Sequence, residues 1–580
     1  MKRIFKALMI SSFGISLAGC NVNYFTVHRK DISIYSLINE GEGGKDISSY
    51  KKEDITCLTV GGEDYVPYLT LEDYNKMLLP HKNNIFNFIV SDFNGSAMWA
   101  VTYNNTYYFA CEFNQSAKTV SVSGNASMAF TTSKDYSKTS LYLGAEISGE
   151  YITSSSKPIV YSYENIPYRV FVHDDKTYLP LSLIDTVISP FTGISHYYSY
   201  QSIYQFIDKD ELKTVKFNKN DKEYTAFSEA KEIINNEMNS VMPDHLKEDR
   251  LNSFLFVFEN IYGLKSTRRI DSMIDLFNEE GLLDGFSSSD NATRNKALAD
   301  VFAYLDDGHT GINDKFDNPW STGGYNQFGP HLTEMMQTKD TLSRARKDFY
   351  DKQGVELGEI VYLNDEVAYL PFDGFTIMDN AFNEDGTPKD AIYTEDTFFY
   401  LARQLETIKN KGGVKKVVID ISTNGGGILG VMMKILSLLS KNNSSKVFLK
   451  TDKARTTEKD VTKVDSNLDG VFDLDDVYGD DFKFYLLTSC YSFSCGNALP
   501  FLAQQQNIAK IIGQDSGGGE CSVEQSFLPS GESYVHSSLM HIGFVENDYD
   551  RWIGSEETAK AEKLIDINKY YDVSTLLSSL

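Results

Sequence analysis

The chain has 580 residues, 41% hydrophobic, 23% charged and 13% aromatic, a length that fits roughly three to four domains of ordinary size. It has neither a Gly/Pro excess nor a second long apolar run, which excludes collagen-like, disordered and multi-span membrane classes. With 55 Lys+Arg against 81 Asp+Glu the formal charge is −26, a balance that repels phosphate backbones and argues against nucleic acid as a partner.

The first residues read as an address. Lys2, Arg3 and Lys6 form a positive start, Ala7 to Ala18 is a short, mostly apolar run, and the segment closes on Leu17-Ala18-Gly19-Cys20. A membrane span needs about 20 apolar residues, so residues 1–19 are expected to be a cleaved export signal. The ending resembles the bacterial lipobox, which implies lipidation of Cys20 as the mature N-terminus. Losing the three cations takes the formal charge from −26 to −29. Nothing after Cys20 is long enough to span a bilayer, so the lipid is the only expected anchor of an exported protein facing the cell exterior or periplasm. The remaining Cys57, Cys111, Cys490, Cys495 and Cys521 are an odd number and too few for a disulfide framework in a chain of this length. Cys57 with Cys111 is one available pairing.

Residues 20–225 read as a β-rich domain. Trp99 to Tyr103 and Thr106 to Phe109 flank Asn104-Asn105, a pair that tolerates the positive φ of tight hairpin turns. The segment from Gly62 to Pro67, leading to Leu69 and Leu71, is echoed by Asp174 to Pro180, leading to Leu181 and Leu183. Each reads as a hairpin running into a short helix, in a small module that is either duplicated or convergent. This region also resembles the copper-amine-oxidase N-terminal-like modules of bacterial surface proteins, and it carries no catalytic constellation.

Over 226–350 the period becomes helical. Leu251, Phe254, Leu255 and Phe258 form one buried stripe, and Leu298, Val301, Phe302 and Leu305 form another that ends at Asp306-Asp307-Gly308. Over 351–580 strand and helix patterns alternate: strands are expected at Val367–Leu370, Lys416–Ile421, Val447–Leu449 and Phe484–Thr488, with helices over Thr397–Ile408, up to Leu439, and over Gly496–Gln506. That alternation predicts an α/β core.

Three distant segments place reactive or backbone-donor groups at element ends. Asp307-Gly308-His309-Thr310 puts a His just beyond a helix. Asn424-Gly425-Gly426-Gly427 ends a buried strand in glycines whose N–H groups can approach a ligand. Ser489-Cys490-Tyr491-Ser492-Phe493-Ser494-Cys495-Gly496-Asn497 leaves a strand through a turn into a helix, where N–H groups and the helix dipole favour a developing oxyanion.

Together, and with the Ile512-Gly513 to Gly519 segment, these resemble the tail-specific, or C-terminal processing, serine peptidase family over residues 245–580. The resemblance implies a ClpP/crotonase-like α/β catalytic core and a polypeptide substrate, with Ser494 as nucleophile rather than Ser492 or Ser489. It implies that Cys495 gives one oxyanion-hole N–H and Gly426 the second, with Gly425 the next choice. One branch of the family uses a Lys about twenty-five residues after the Ser; here that position is Gly519, and no Lys occurs between Lys510 and Lys560. The other branch, resembling the tricorn core, takes a His from the helical segment, and His309 matches it. An imidazole with a pKa near 6.5 suits a general base at neutral pH. The family's third residue, an acid, lies late in the chain; Glu546, Glu556 and Glu557 are candidates, with Glu546 the choice. The span between His309 and Val367 is too short for the familiar peptide-binding PDZ module. A Cys nucleophile is an alternative, although Cys495 falls in the donor slot; a Cys495–Cys521 or Cys490–Cys521 disulfide is a better use of these thiols.

Residues 465–476 have the register of a calcium loop. Asp465, Asn467 and Asp469 stand at positions 1, 3 and 5, Gly470 at the sharp turn, Val471 offers its carbonyl at 7, and Asp473 and Asp476 stand at 9 and 12. The loop is inserted between core strands, which implies structural Ca²⁺; no organic cofactor is expected. The expectation is a lipid-anchored serine endopeptidase. The alternatives are a binding lipoprotein that keeps the peptidase fold without its activity, and a carbohydrate-binding surface protein.

Overall fold

The computed structural model describes residues 26–39, 47–61, 63–78, 86–103, 106–124, 139–155, 157–192, 194–198, 202–207, 223–225, 236, 238, 241–312, 320, 328–453, 455–548 and 551–580. The export signal, Cys20 and the Asn104-Asn105 turn lie outside them. Among the described residues no helix is long and apolar enough to cross a membrane.

The N-terminal region is β-rich. A five-stranded antiparallel meander runs Phe86–Phe93, Ser96–Tyr103, Thr106–Asn114, Thr119–Gly124 and Ile159–Ser162. An eight-stranded sheet is built around Val27–Asn39 and Ile47–Val60. Both echoed segments take hairpin-to-helix form: Glu63–Leu69 leads into helix Leu71–Leu78, and Lys176–Pro180 into helix Leu181–Thr192. The two strands pair antiparallel with each other, Leu179 opposite Leu69. Asp174 and Asp175 turn the second hairpin at φ 50 and 60, conformations that acidic turn residues tolerate better than most.

The expected helical stripes form on Asp244–Asn260 and Asn291–Leu305. Phe254, Phe258, Leu298, Val301, Phe302 and Leu305 are buried in one apolar cluster with Trp99, Leu183 and Tyr198, so the helical segment and the N-terminal sheets share a core. Nor does the N-terminal region keep to itself. Ala145–Thr153 pairs along its length with Thr456–Val464 and becomes the edge of the seven-stranded sheet that also holds Ser445–Thr451 and Ser533–Val545. Just before that strand, Ser140 donates to Asp396 Oδ2 (2.6 Å), and the buried Lys434 ammonium donates to Ser140 O (3.1 Å). A division of the chain at residue 225 therefore cuts through a shared sheet, because strand pairing across 300 residues leaves no local signature in sequence.

The α/β core is a six-stranded sheet in the order Val361–Asn364, Val367–Pro371, Lys416–Asp420, Lys483–Thr488, Ala509–Gly513, Lys563–Leu564, parallel from the second strand onward. Both faces are covered, and the alternation is visible in burial. Val417, Ile419, Phe484 and Leu486 pack against helices Thr397–Lys411, Leu429–Leu438 and Cys495–Gln505. Val418, Tyr485 and Leu487 pack against helix Pro330–Gln353 and the C-terminal Ile565, Tyr570 and Leu576. Each such fully buried aliphatic side chain contributes about 1.5–3 kcal/mol. Two neighbouring parallel strands, Lys416–Asp420 and Lys483–Thr488, therefore end side by side on one rim, where open α/β sheets bind ligands.

Candidate active site

The glycine run and the serine turn leave these adjacent strands and are laced together. Ser489 Oγ donates to Ser422 O (2.6 Å) and Ser492 Oγ to Ile421 O (2.8 Å), both fully buried. Those hydroxyls hold the turn and are unavailable as nucleophiles. Ser494 differs: it is half-buried, stands immediately before helix Cys495–Gln505, and has φ 57 and ψ −126. A positive φ at a non-glycine residue stores roughly 1–3 kcal/mol and persists only where the surroundings fix it. Here Ser494 N–H donates to Gly518 O (2.9 Å), and Ser494 O accepts from Asn497 and Ala498.

Gly426 lies against this serine. At φ +112, a Cβ on Gly426 would stand 2.7 Å from Ser494 Cβ and 3.0 Å from its Oγ, so only glycine permits the approach. Its N–H donates to Asn424 Oδ1 (2.8 Å). Gly425, the second choice, faces Tyr491, whose hydroxyl would be 3.0 Å from an added Cβ. The Cys495 N–H is the first of its helix and has no intrahelical acceptor.

His309 is held by its own loop. Helix Asn291–Leu305 stops at Asp306, which is left-handed and whose carboxylate caps the start of helix Pro330–Gln353 through His331 and Leu332 N–H. Asp307 is buried and accepts from His309 N–H (3.0 Å), Thr310 Oγ1 (2.6 Å), Tyr262 OH (3.2 Å) and Ser537 Oγ (2.8 Å). The imidazole meets the Phe493 ring edge-on at 4.8 Å between centroids, one residue from Ser494. That ring fits because Gly308 and Gly519 flank it; a Cβ on either would stand within 2.7 Å of it. Burial lowers the His309 pKa below its ordinary 6.5, partly offset by the Asp307 charge, which keeps the ring neutral. Nδ1 is buried without a hydrogen-bond partner.

The late acids separate clearly. Glu546 is exposed at the end of strand Ser533–Val545, its N–H on Arg551 O, and no contact joins it to His309. Glu557 is also exposed. Glu556 sits behind the serine turn: its Oε2 accepts from Gly519 N–H (2.8 Å) and Glu520 N–H (3.0 Å). Burial raises its pKa, opposed by those N–H groups and reinforced by Glu520 and Asp307. Asn497 explains how that segment is held, since its side chain donates to Ser555 O (2.7 Å) and accepts from Ser516 Oγ (2.6 Å).

All five described cysteines are free thiols, so neither Cys57–Cys111 nor a bridge to Cys521 forms. Cys495 Sγ donates to Gly427 O (3.2 Å), and burial pushes its pKa up to about 12, far from the thiolate a nucleophile needs. Asp307, Asn424 and Asn497 stand inside the three segments, but sequence assigns them no role of their own. Their signal is the short polar side chain two residues from the N–H it binds, or at a helix start, a pattern shared with ordinary turns.

In the 465–476 loop, Asp465 accepts from Asp469 and Gly470 N–H (3.1 and 2.9 Å), with Gly470 at φ 85. Asn467 accepts from Asp469 N–H and Asp469 from Val471 N–H, while Asp476 accepts from Ser466 and Asp473 N–H. The loop is thus wound with its first and last acids inward, between Thr456–Val464 and Lys483–Thr488 as expected.

Residues 381–541 match the sequence model of Peptidase family S41. No curated protein matches the chain. Among solved structures, a lipoprotein from Streptococcus agalactiae is 14% identical, covering 58% of this chain and 98% of its own, with a TM-score of 0.34. A protein described as a peptidase from Parabacteroides merdae is 17% identical over 58% of this chain and 96% of its own, TM-score 0.38. Mature CPAF bound to lactacystin is 10% identical over 58% and 97%, TM-score 0.36. The matched segment, which holds both the glycine run and the serine turn within the α/β core that follows the β-rich N-terminal region, is that of a serine-type peptidase of family S41.

Proposed function

We propose that the chain is a lipid-anchored extracytoplasmic endopeptidase in which Ser494 attacks the scissile carbonyl. The observation that carries this reading is the approach of Gly426 to Ser494, a contact that a Cβ would destroy. His309, neutral because it is buried, takes the Ser494 proton and returns it to the leaving amine. Cys495 N–H is one oxyanion donor. Gly426 N–H is the second once the developing oxyanion draws it from Asn424 Oδ1, each such donor being worth about 3–4 kcal/mol. Of the late acids, burial and placement favour Glu556 over Glu546 as the group that steadies the imidazolium, by a shift of the His309 ring whose Nδ1 is unpartnered.

Lipidation at Cys20 would hold the enzyme at a membrane surface, and the 465–476 loop would take a structural Ca²⁺ through Asp465, Asn467, Asp469, the Val471 carbonyl, Asp473 and Asp476. The unpartnered Nδ1 also favours a second reading, a binding lipoprotein in which cleavage is lost. Denatured casein incubated with the mature protein separates the two. Fragments that disappear in Ser494→Ala support the peptidase; casein bound but uncut by folded wild type supports the binder.

A further inference from the structure

Behind the nucleophile loop, strand Cys521–Phe527 begins beside strand Ser533–Val545 with Cys521 opposite His541. This register brings three ligand-type side chains together in the interior. Glu520, Cys521 and His541 are 3%, 1% and 2% exposed, and one ligand atom from each lies within 4.8 Å of the others. His541 Nδ1 is 2.6 Å from Glu520 Oε1 and 3.7 Å from Cys521 Sγ.

We propose that Glu520, Cys521 and His541 form a binding site for a divalent transition-metal ion of the zinc type. Thiolate, imidazole and carboxylate are a donor set that suits zinc and not calcium or magnesium. The Sγ–Nδ1 separation is close to the roughly 3.5 Å that tetrahedral bonds of about 2.3 and 2.0 Å require. The Nδ1–Oε1 pair, now at hydrogen-bond distance, has to open. An independent observation supports the ion. His541 Nε2 is buried without a hydrogen-bond partner, yet lies 3.4 Å from Asp452 Oδ2. With Nδ1 on the metal, Nε2 carries the proton and faces that carboxylate, the carboxylate–histidine–metal arrangement that fixes a ligand's tautomer. Asp452 is itself held by Lys450 (2.6 Å) and Ser266 (2.5 Å).

The protons balance: the Cys521 thiol loses its hydrogen to solvent as the thiolate–metal bond forms, the proton shared by His541 Nδ1 and Glu520 passes to His541 Nε2, and one tetrahedral position is left for water. The site is distinct from the catalytic one but tied to it. Glu520 Oε2 accepts from Glu556 N–H (3.2 Å), and Glu556 Oε2 accepts from Glu520 N–H. An ion here would brace the 518–521 segment, whose Gly518 carbonyl holds Ser494 N–H.

The test uses Co²⁺ as a spectroscopic probe on chelator-stripped, full mature protein. The expected result is a one-to-one complex with visible d–d bands of tetrahedral intensity and a near-ultraviolet thiolate-to-cobalt band, displaced by Zn²⁺. That band is lost in Cys521→Ser and His541→Gln but retained in Cys490→Ser. Wild type with no thiolate-to-cobalt band overturns the proposal without reference to any variant's folding. A band that survives in folded Cys521→Ser, or that Cys490→Ser abolishes, also overturns it. The readout does not depend on catalysis by Ser494.

Discussion

Gly426→Ala tests the tightest contact in the site. The added Cβ would stand 2.7 Å from Ser494 Cβ, and ordinary carbon–carbon contact begins near about 3.5 Å. One of the two must therefore retreat by about 0.8 Å, and misplacement on that scale costs about 10²-fold in rate. The backbone at φ +112 adds roughly 1–3 kcal/mol of strain. A fold of about 5–15 kcal/mol survives such a loss largely folded, so the rate, rather than the folded fraction, carries the result. The assay is the second-order rate of fluorophosphonate labelling, beside thermal denaturation. Gly386→Ala is the control for strain alone, since it has φ +83 and nothing within 4 Å of an added Cβ; it should lower stability and leave labelling unchanged. Gly426→Ala labelling within threefold of wild type, in folded protein, would refute the reasoning.

Glu556→Gln should slow labelling by up to about 10⁴-fold, the scale of losing a histidine's acidic partner, while Glu546→Gln stays within twofold; the opposite order would reinstate Glu546. The labelling rate should fall as pH drops through the depressed His309 pKa, because protonation removes the base. Half-maximal rate is therefore expected below pH 6.5, the ordinary histidine value, and an inflection above it would contradict a buried, neutral imidazole. Adding Ca²⁺ to chelator-stripped protein should raise the melting temperature, since an ion at a hundred times its dissociation constant stabilises by about 2.7 kcal/mol. Asp465→Ala/Asp469→Ala should abolish the rise with Ca²⁺, and an equal rise in that variant would remove the loop as the site.

Much of the core was legible because it rests on local pattern. The run Lys416 to Ile421 reads as a strand, and Val417, Val418 and Ile419 fill both faces of the sheet. Motif spacing singles out Ser494 and Gly426, and their contact gives that spacing a steric reason. What was not legible depends on pairing at a distance. The strand Ala145–Thr153 reads as part of an N-terminal domain until Thr456–Val464 claims it. Glu546 and Glu556 are equivalent in a sequence of scattered late acids; only the N–H groups of Gly519 and Glu520, close to Glu556, tell them apart. The cysteines near the serine suggested a bridge, but strand register sends Cys521 toward His541 and helix geometry sends Cys495 toward Gly427.

The central claim is that Ser494, activated by His309, is the nucleophile. Intact-mass and peptide-level mass spectrometry of the mature protein after fluorophosphonate treatment tests it most directly. The account predicts a single adduct on Ser494, absent in Ser494→Ala and strongly slowed in His309→Ala. An adduct that persists in Ser494→Ala, or a folded wild type that never labels, would contradict it.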